Sequence, residues 1–328
     1  MISRRAFVAG LIVSLLFPAP SVVHAQAGRT YRVAILGPFS TPEGLAYREA
    51  FFDAMLKLGY VEGRSVIFDV RTSDRDRVRV TALVEELIAL RPDVLVSDAN
   101  AAQVMRDKTT SIPIVLTGSI DPVGQGFAQS LGRPGMNVTG VTQLMDQLPG
   151  KHIDIMREIR PRLMRVGMLV DANPGVGCSI VEENAREAAR RIGAVFVSYT
   201  VANRQEIERA FSQMPKERPD VLLPCPAALL FNNRDLLYEN AVRLRIPFTS
   251  FVTANVPLGV LFAYAPSFTE GYRKAATYVD KILRGARPGD LPFEQATKFD
   301  LVINLKTAKT MGLTIPPSLL ARADQVIE

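Results

Sequence analysis

The feature that most constrains this 328-residue chain is that its sequence partly repeats itself. Arg91-Pro92-Asp93-Val94-Leu95-Val96 returns as Arg218-Pro219-Asp220-Val221-Leu222-Leu223. Each copy follows an amphipathic helix and opens a short apolar run. Further on, Ile112-Pro113-Ile114-Val115 is matched by Ile246-Pro247-Phe248-Thr249. Upstream, Arg32-Val33-Ala34-Ile35-Leu36 pairs with Arg165-Val166-Gly167-Met168-Leu169-Val170. Between these runs, Tyr47, Phe51, Ala54, Met55 and Leu58 have helical spacing, and so do Val181, Ala185, Ala188, Ala189 and Ile192. A β run follows in each half, at 66–70 and 195–199, and then a further helix. Each half therefore reads β-α-β-α-β-α-β. Strands alternating with amphipathic helices give parallel sheets covered on both faces, and right-handed crossovers make each half a Rossmann-like lobe of an α/β protein. Any α/β chain alternates in this way; the matched Arg-Pro-Asp and Ile-Pro phrases are what point to duplication. A strand at 258–264, a helix at 272–283, a strand at 299–304 and a short helix at 307–311 follow the second half.

The first 27 residues read as an export leader. Arg4 and Arg5 precede an apolar run from Ala6 to Phe17 that is too short to span a bilayer, and cleavage is expected near Ala25 or Ala27. The pattern fits general secretion, and Ser3-Arg4-Arg5-Ala6-Phe7 also resembles a twin-arginine signal. The expected location is the periplasm. Losing Arg4 and Arg5 lowers the formal charge from +6 to +4, and the cations are dispersed among acids, which argues against nucleic acid as a partner. Two histidines and two cysteines exclude multi-histidine and four-cysteine metal sites, so no metal is expected. His24 leaves with the leader, and His152 reads as a helix residue. There is no phosphate-binding G-x-x-x-x-G-K-[ST] loop. Gly124-Gln125-Gly126 lacks the third glycine of a dinucleotide fingerprint, and no G-x-S-x-G elbow occurs. No cofactor and no catalytic residue are expected, and the chain reads as a non-enzyme.

In open α/β sheets ligands sit beyond the carboxyl ends of the strands. The residues at those ends give the candidate site: Phe39 and Ser40 after the first strand, Asn100 and Ala101, and Ser119 and Asp121. The second half adds Asn173 and Pro174, Cys225 and Ala227, Phe251, and Tyr264 on the late strand. Ser40 and Glu43 have capping-box spacing, with Pro42 suited to a first helical turn. Helix N-termini in such loops favour an anionic group. Phe39, Phe251 and Tyr264 offer surface for an apolar body, so the expected ligand is a small organic solute, amino-acid-like or a carboxylate. Each polar residue also has an ordinary role as a cap or turn former. Cys178 and Cys225 each follow a strand; export would permit a disulfide, but the spacing alone does not decide it.

The tail Thr297-Lys298-Phe299-Asp300-Leu301-Val302-Ile303-Asn304-Leu305-Lys306-Thr307-Ala308, continued by Gly312-Leu313-Thr314-Ile315-Pro316-Pro317-Ser318, resembles that of ABC transporter substrate-binding proteins of the tryptophan/tyrosine-binding type. Leu58-Gly59-Tyr60-Val61-Glu62-Gly63 and Arg133-Pro134-Gly135-Met136-Asn137-Val138-Thr139-Gly140 carry the same resemblance. It implies a type I periplasmic-binding fold with a ligand cleft between the lobes, hinge closure and no covalent chemistry. Three crossings are expected, near 141–147, 253–257 and 285–290. The N-terminal lobe would then hold 28–143 and 256–286, and the C-terminal lobe 144–255 and 287–328. The implied partners are a small-molecule ligand and an inner-membrane ABC permease, with the protein a monomer. Relatives often carry a histidine-proline pair where this chain has Ser40-Thr41-Pro42, and Tyr-Gly-x-Asp where it has Tyr264-Ala265-Pro266-Ser267. The missing acid would remove a partner for a ligand amine, which favours carboxylates or neutral solutes. A sensory binding protein, or an enzyme on the same scaffold, are the alternative roles.

Overall fold

The computed structural model describes residues 29–38, 40–74, 76–173 and 176–328. The leader at residues 1–27, and Phe39 and Pro174 of the candidate site, lie outside them. The first half runs β1 (Tyr31–Gly37), α1 (Pro42–Lys57), β2 (Val66–Thr72), α2 (Arg77–Ala89), β3 (Val94–Asp98), α3 (Ala99–Lys108), β4 (Ile114–Gly118) and β5 (Val138–Thr142). The second runs α4 (Leu148–Ile159), β6 (Arg165–Asp171), α5 (Val176–Arg191), β7 (Val195–Val201), α6 (Arg204–Glu217), β8 (Val221–Pro224), α7 (Ala228–Asn232), α8 (Arg234–Arg243) and β9 (Thr249–Ser250). The remainder is β10 (Phe262–Pro266), α9 (Phe268–Leu283), β11 (Glu294–Gln295), β12 (Phe299–Asn304), α10 (Leu305–Met311), α11 (Pro317–Leu320) and β13 (Gln325–Ile327).

The first sheet is parallel throughout, in the order β11-β5-β4-β3-β1-β2. Side chains alternate across it, as a strand's two-residue period requires. Val33 and Ile35 face one way and join Phe51, Met55, Tyr272 and Val279 of α1 and α9. Ala34 and Leu36 face the other and join Val84, Leu87 and Met105 of α2 and α3. Burying each of the larger aliphatic side chains contributes about 1.5–3 kcal/mol. Gly140 lies at φ +137, and a Cβ there would fall 2.3 Å from the Leu116 carbonyl oxygen, so only glycine lets β5 dock on β4.

The repeated Arg-Pro-Asp phrase does the same work in both halves. Asp93 donates its backbone N–H to the Arg32 carbonyl at 2.8 Å, and its carboxylate accepts the Arg32 N–H at 2.8 Å. Asp220 repeats this on Arg165, at 2.9 Å for both bonds. The aspartate thus clamps the start of the first strand of each lobe to the start of its neighbour. A third copy, Arg322-Ala323-Asp324, bonds Leu301 in the same reciprocal way at 2.8 Å and starts β13 beside β12. Sequence reading passed over this copy because alanine replaces the proline.

The second lobe contains β7-β6-β8 and β13-β12-β10-β9, joined by a bridge between Leu222 and Phe248. Here the segment boundaries differ from expectation. Residues 256–266 do not join the first lobe: 253–258 form a 3₁₀ turn ending at Gly259 with φ +110, and β10 then pairs with β9 and β12. The chain passes to the first lobe at Ser267, where α9 begins. Residues 285–290 are a turn from α9 toward β11, which still pairs with β5, so the return falls after Gln295. Having re-entered from the first lobe, β12 runs antiparallel to β10, the one departure from parallel pairing among the described strands.

Candidate functional site

The carboxyl ends of both sheets face a cavity of about 560 Å³. From the first lobe come Ser73 after β2, Asp98 at the end of β3, and Gly118 to Ile120 after β4. Gln143, just past β5, lies on the first crossing. From the second lobe come Pro224 to Ala227 after β8 and Ser250 to Val252 after β9. Helices α3, α5 and α9 begin at the wall, with Ala99, Gly177 and Phe268 in it. Their dipoles place partial positive charge around the cavity, and α9 carries no side-chain cap.

The wall is largely apolar and aromatic. On the first-lobe side Tyr47 stacks on Phe268, ring centroids 5.6 Å apart, and on Tyr272 at 6.0 Å. Leu230, Phe231, Leu237 and Phe251 form the opposite side. Burial lifts the Tyr47 hydroxyl to about 12, helped by the charge of Glu43, and burial also raises Tyr238 and Tyr272. All three therefore remain protonated hydrogen-bonding groups at neutral pH. Among the described residues Asp98 is the only charged side chain in the wall. Its carboxylate caps α3, accepting the Ala101 N–H at 3.1 Å. Asn255 donates to the Ser250 hydroxyl at 3.0 Å, and the Ser119 hydroxyl donates to Gln125 Oε1 at 2.6 Å. The lobes touch where Ile120 packs against the first turn of α5; a Cβ on Gly177 would sit 2.4 Å from the Ile120 Cδ1.

Of the candidate residues, Asn100, Ala101, Ser119, Cys225, Ala227 and Phe251 come together in this wall. Ser40, Asp121, Asn173 and Tyr264 are not part of it. Ser40 bonds Asp74 through its N–H and hydroxyl, tying two loops together, and the cap of α1 is Thr41 rather than Ser40. Asp121 closes its own turn by accepting the Val123 and Gly124 N–H groups at 3.1 and 2.9 Å. Asn173 donates its N–H to Asp171. Tyr264 lies in mid-strand, and its ring stacks on Phe299 at 5.6 Å. Positions 264–267 therefore stand outside the wall, so an acid missing there does not decide whether an amine binds, and Asp98 supplies a carboxylate inside it.

Cys178 and Cys225 form a disulfide, Cα atoms 5.1 Å apart, that joins the start of α5 to the loop after β8. Cys225 thus contributes to the wall as half of a cross-link. His152 is fully buried on α4. Its Nε2 donates to the Tyr264 carbonyl at 2.8 Å, and its Nδ1 accepts the Thr249 hydroxyl at 2.9 Å. Its ring lies 4.6 Å from that of Phe251, directly behind the cavity wall.

Sequence reading missed Tyr47, Tyr272 and Gln143. Tyr47 and Tyr272 have the spacing of core residues, and only their place near helix starts brings them to the strand ends. Gln143 follows β5, a strand that the repeat did not reveal.

Two α/β lobes whose strand ends share one cavity are the architecture of two-lobed solute-binding proteins. The chain belongs to the ABC transporter substrate binding protein family, whose pattern matches residues 32–327. It is similar to the tyrosine-binding protein of Clostridioides difficile (strain R20291), 21% identical over 267 residues, spanning 81% of this chain and 76% of that one. Among solved structures, a conserved domain protein from Vibrio cholerae O1 biovar eltor is 27% identical with a TM-score of 0.84, covering 91% of this chain and all of that one. The ABC domain in complex with L-Trp from Streptococcus pneumoniae is 24% identical with a TM-score of 0.82, again over 91% of this chain and all of that one.

Proposed function

We propose that this protein is the extracytoplasmic solute-binding component of an ABC importer. It takes a small solute with an apolar or aromatic body into the cavity between its lobes and presents the closed form to a membrane permease. The observation that carries this reading is the cavity itself: strand ends of both lobes, three helix starts and an aromatic wall converge on about 560 Å³, a volume usual for sites that enclose a small molecule. The leader-like N-terminus and the Cys178–Cys225 cross-link support an exported protein, since disulfides persist in oxidising compartments. Among the described residues no helix is long and apolar enough to cross a membrane. Relatives that bind tyrosine and L-tryptophan support an aromatic ligand.

The test is a thermal-shift screen of the mature chain, unfolded and refolded to strip carried ligand, against amino acids, aromatic acids, purines and sugars. A solute at 100 times its dissociation constant stabilises the native state by about 2.7 kcal/mol, so one chemical class should raise the melting temperature in a dose-dependent way. Phe251→Ala should weaken that class while leaving the fold cooperative. A flat response across the panel would remove the solute-binding reading.

A further inference from the structure

The polar groups of the cavity wall are mostly spoken for: Asp98 caps α3, Ser119 bonds Gln125, and Asn255 bonds Ser250. Gln143 is different. Its residue is only 8% exposed, and its backbone N–H donates to the Ser119 carbonyl at 2.7 Å. Its side-chain amide has no hydrogen-bond partner among the described residues, and it faces the cavity. Gly118 makes room for it: a Cβ at 118 would fall 2.3 Å from the Gln143 Nε2. Because the amide opens onto the cavity, a ligand that fills the cavity would bury it, and a buried amide needs a partner. The start of α9, which carries no side-chain cap, is a nearby donor group, and its dipole favours an oxygen-bearing group.

Resting on the reading of this cavity as the solute site, we infer that Gln143 is a specificity residue whose amide binds the ligand's head group, a carboxylate or carboxamide. Because Gln143 sits on the first crossing between the lobes, the ligand that satisfies its amide touches the segment about which the lobes move. Capture and closure are therefore coupled through one side chain.

The test compares refolded, ligand-free wild type with Gln143→Met, which keeps the length and removes the amide. Without ligand, Gln143→Met should melt within about 2 °C of wild type, because the amide opens onto the cavity and has no protein partner to lose. Titrations then use L-tryptophan, indole-3-propionate (carboxylate without amine) and tryptamine (amine without carboxylate). A carboxylate probe that binds wild type should bind Gln143→Met about 10- to 100-fold more weakly, with tryptamine affected equally little in both proteins. Gln143→Glu, which keeps the size and adds a negative charge, should lose the carboxylate probes still more completely. A melting temperature lower by more than about 2 °C for ligand-free Gln143→Met would show that the amide has a structural partner and overturn the inference. Equal carboxylate affinity in wild type and Gln143→Met would overturn it as well. If no probe shifts wild type, it is the solute reading for these compounds that fails, while the ligand-free melts still decide whether the Gln143 amide stands unpaired.

Discussion

Urea denaturation should show the protein about 2 kcal/mol less stable at pH 5.0 than at pH 7.5, and His152→Gln should erase that part of the difference. Burial holds the His152 imidazole down from 6.5 to about 4, opposed by its bond to the Tyr264 carbonyl. Between those values the unfolded chain takes up a proton that the folded chain refuses. The stabilisation is thus complete above pH 6.5 and falls by about 1.4 kcal/mol per unit as the pH drops toward 4. The structure explains the refusal. The Tyr264 carbonyl only accepts, so the proton stays on Nε2, and Nδ1 is already occupied by the Thr249 hydroxyl. His152→Ala should cost about 3–5 kcal/mol, since it empties a packed site and strands two buried polar groups. If His152→Gln keeps the wild-type slope between pH 5.0 and 6.5, the ring is not the titrating group. The slope matters for the site because His152 links α4 to β9 and β10 and packs on Phe251.

The second large effect concerns the cross-link. Cys178 and Cys225 are separated by 47 residues. Opening a loop of that length frees the unfolded chain by about 4 kcal/mol in the chain-entropy account. The Cys178→Ser/Cys225→Ser double variant should therefore lose about 3–4 kcal/mol in urea, and treatment of wild type with a thiol reductant should reproduce the loss. The same reductant should leave the double variant unchanged. Because Gly177, Cys178, Cys225 and Pro226 all line the cavity, ligand affinity should fall in the double variant even at temperatures where it remains folded. Equal stability of wild type before and after verified reduction would remove the cross-link from the account of this fold.

Much of this architecture is legible in the chain. The Arg-Pro-Asp phrases fall where they do because an aspartate is needed to lock the start of each lobe's first strand, and that requirement leaves a sequence mark. Helices α1, α2, α5, α6 and α9 follow from residue spacing alone. The crossings are harder, because Leu258 to Tyr264 is apolar enough for either sheet. Its partner is settled by the turn at Gly259 and by pairing with Thr249 and Ser250, which no local pattern encodes. The site divides similarly. Phe251, Asn100 and Ser119 can be found because they follow readable strands. Tyr264 misleads because a mid-strand aromatic looks the same in sequence as one at a strand end. Tyr272 is hidden because the face that α9 buries against the first sheet and the end it shows to the cavity use the same residue types.

The position of α9 also orders events during synthesis. It supplies Tyr272, Ala275, Ala276, Val279 and Ile282 to a sheet face whose five longer strands are complete by residue 142. The nascent first lobe must therefore wait, with Val33, Ile35, Val94, Val96 and Val115 roofed only by α1, until the whole second-lobe segment up to Pro266 has been made. A product cut short anywhere between residues 142 and 268 carries that apolar face without its cover. Such fragments belong to the chaperone and protease machinery of the cell, and half of this protein is not a smaller version of it.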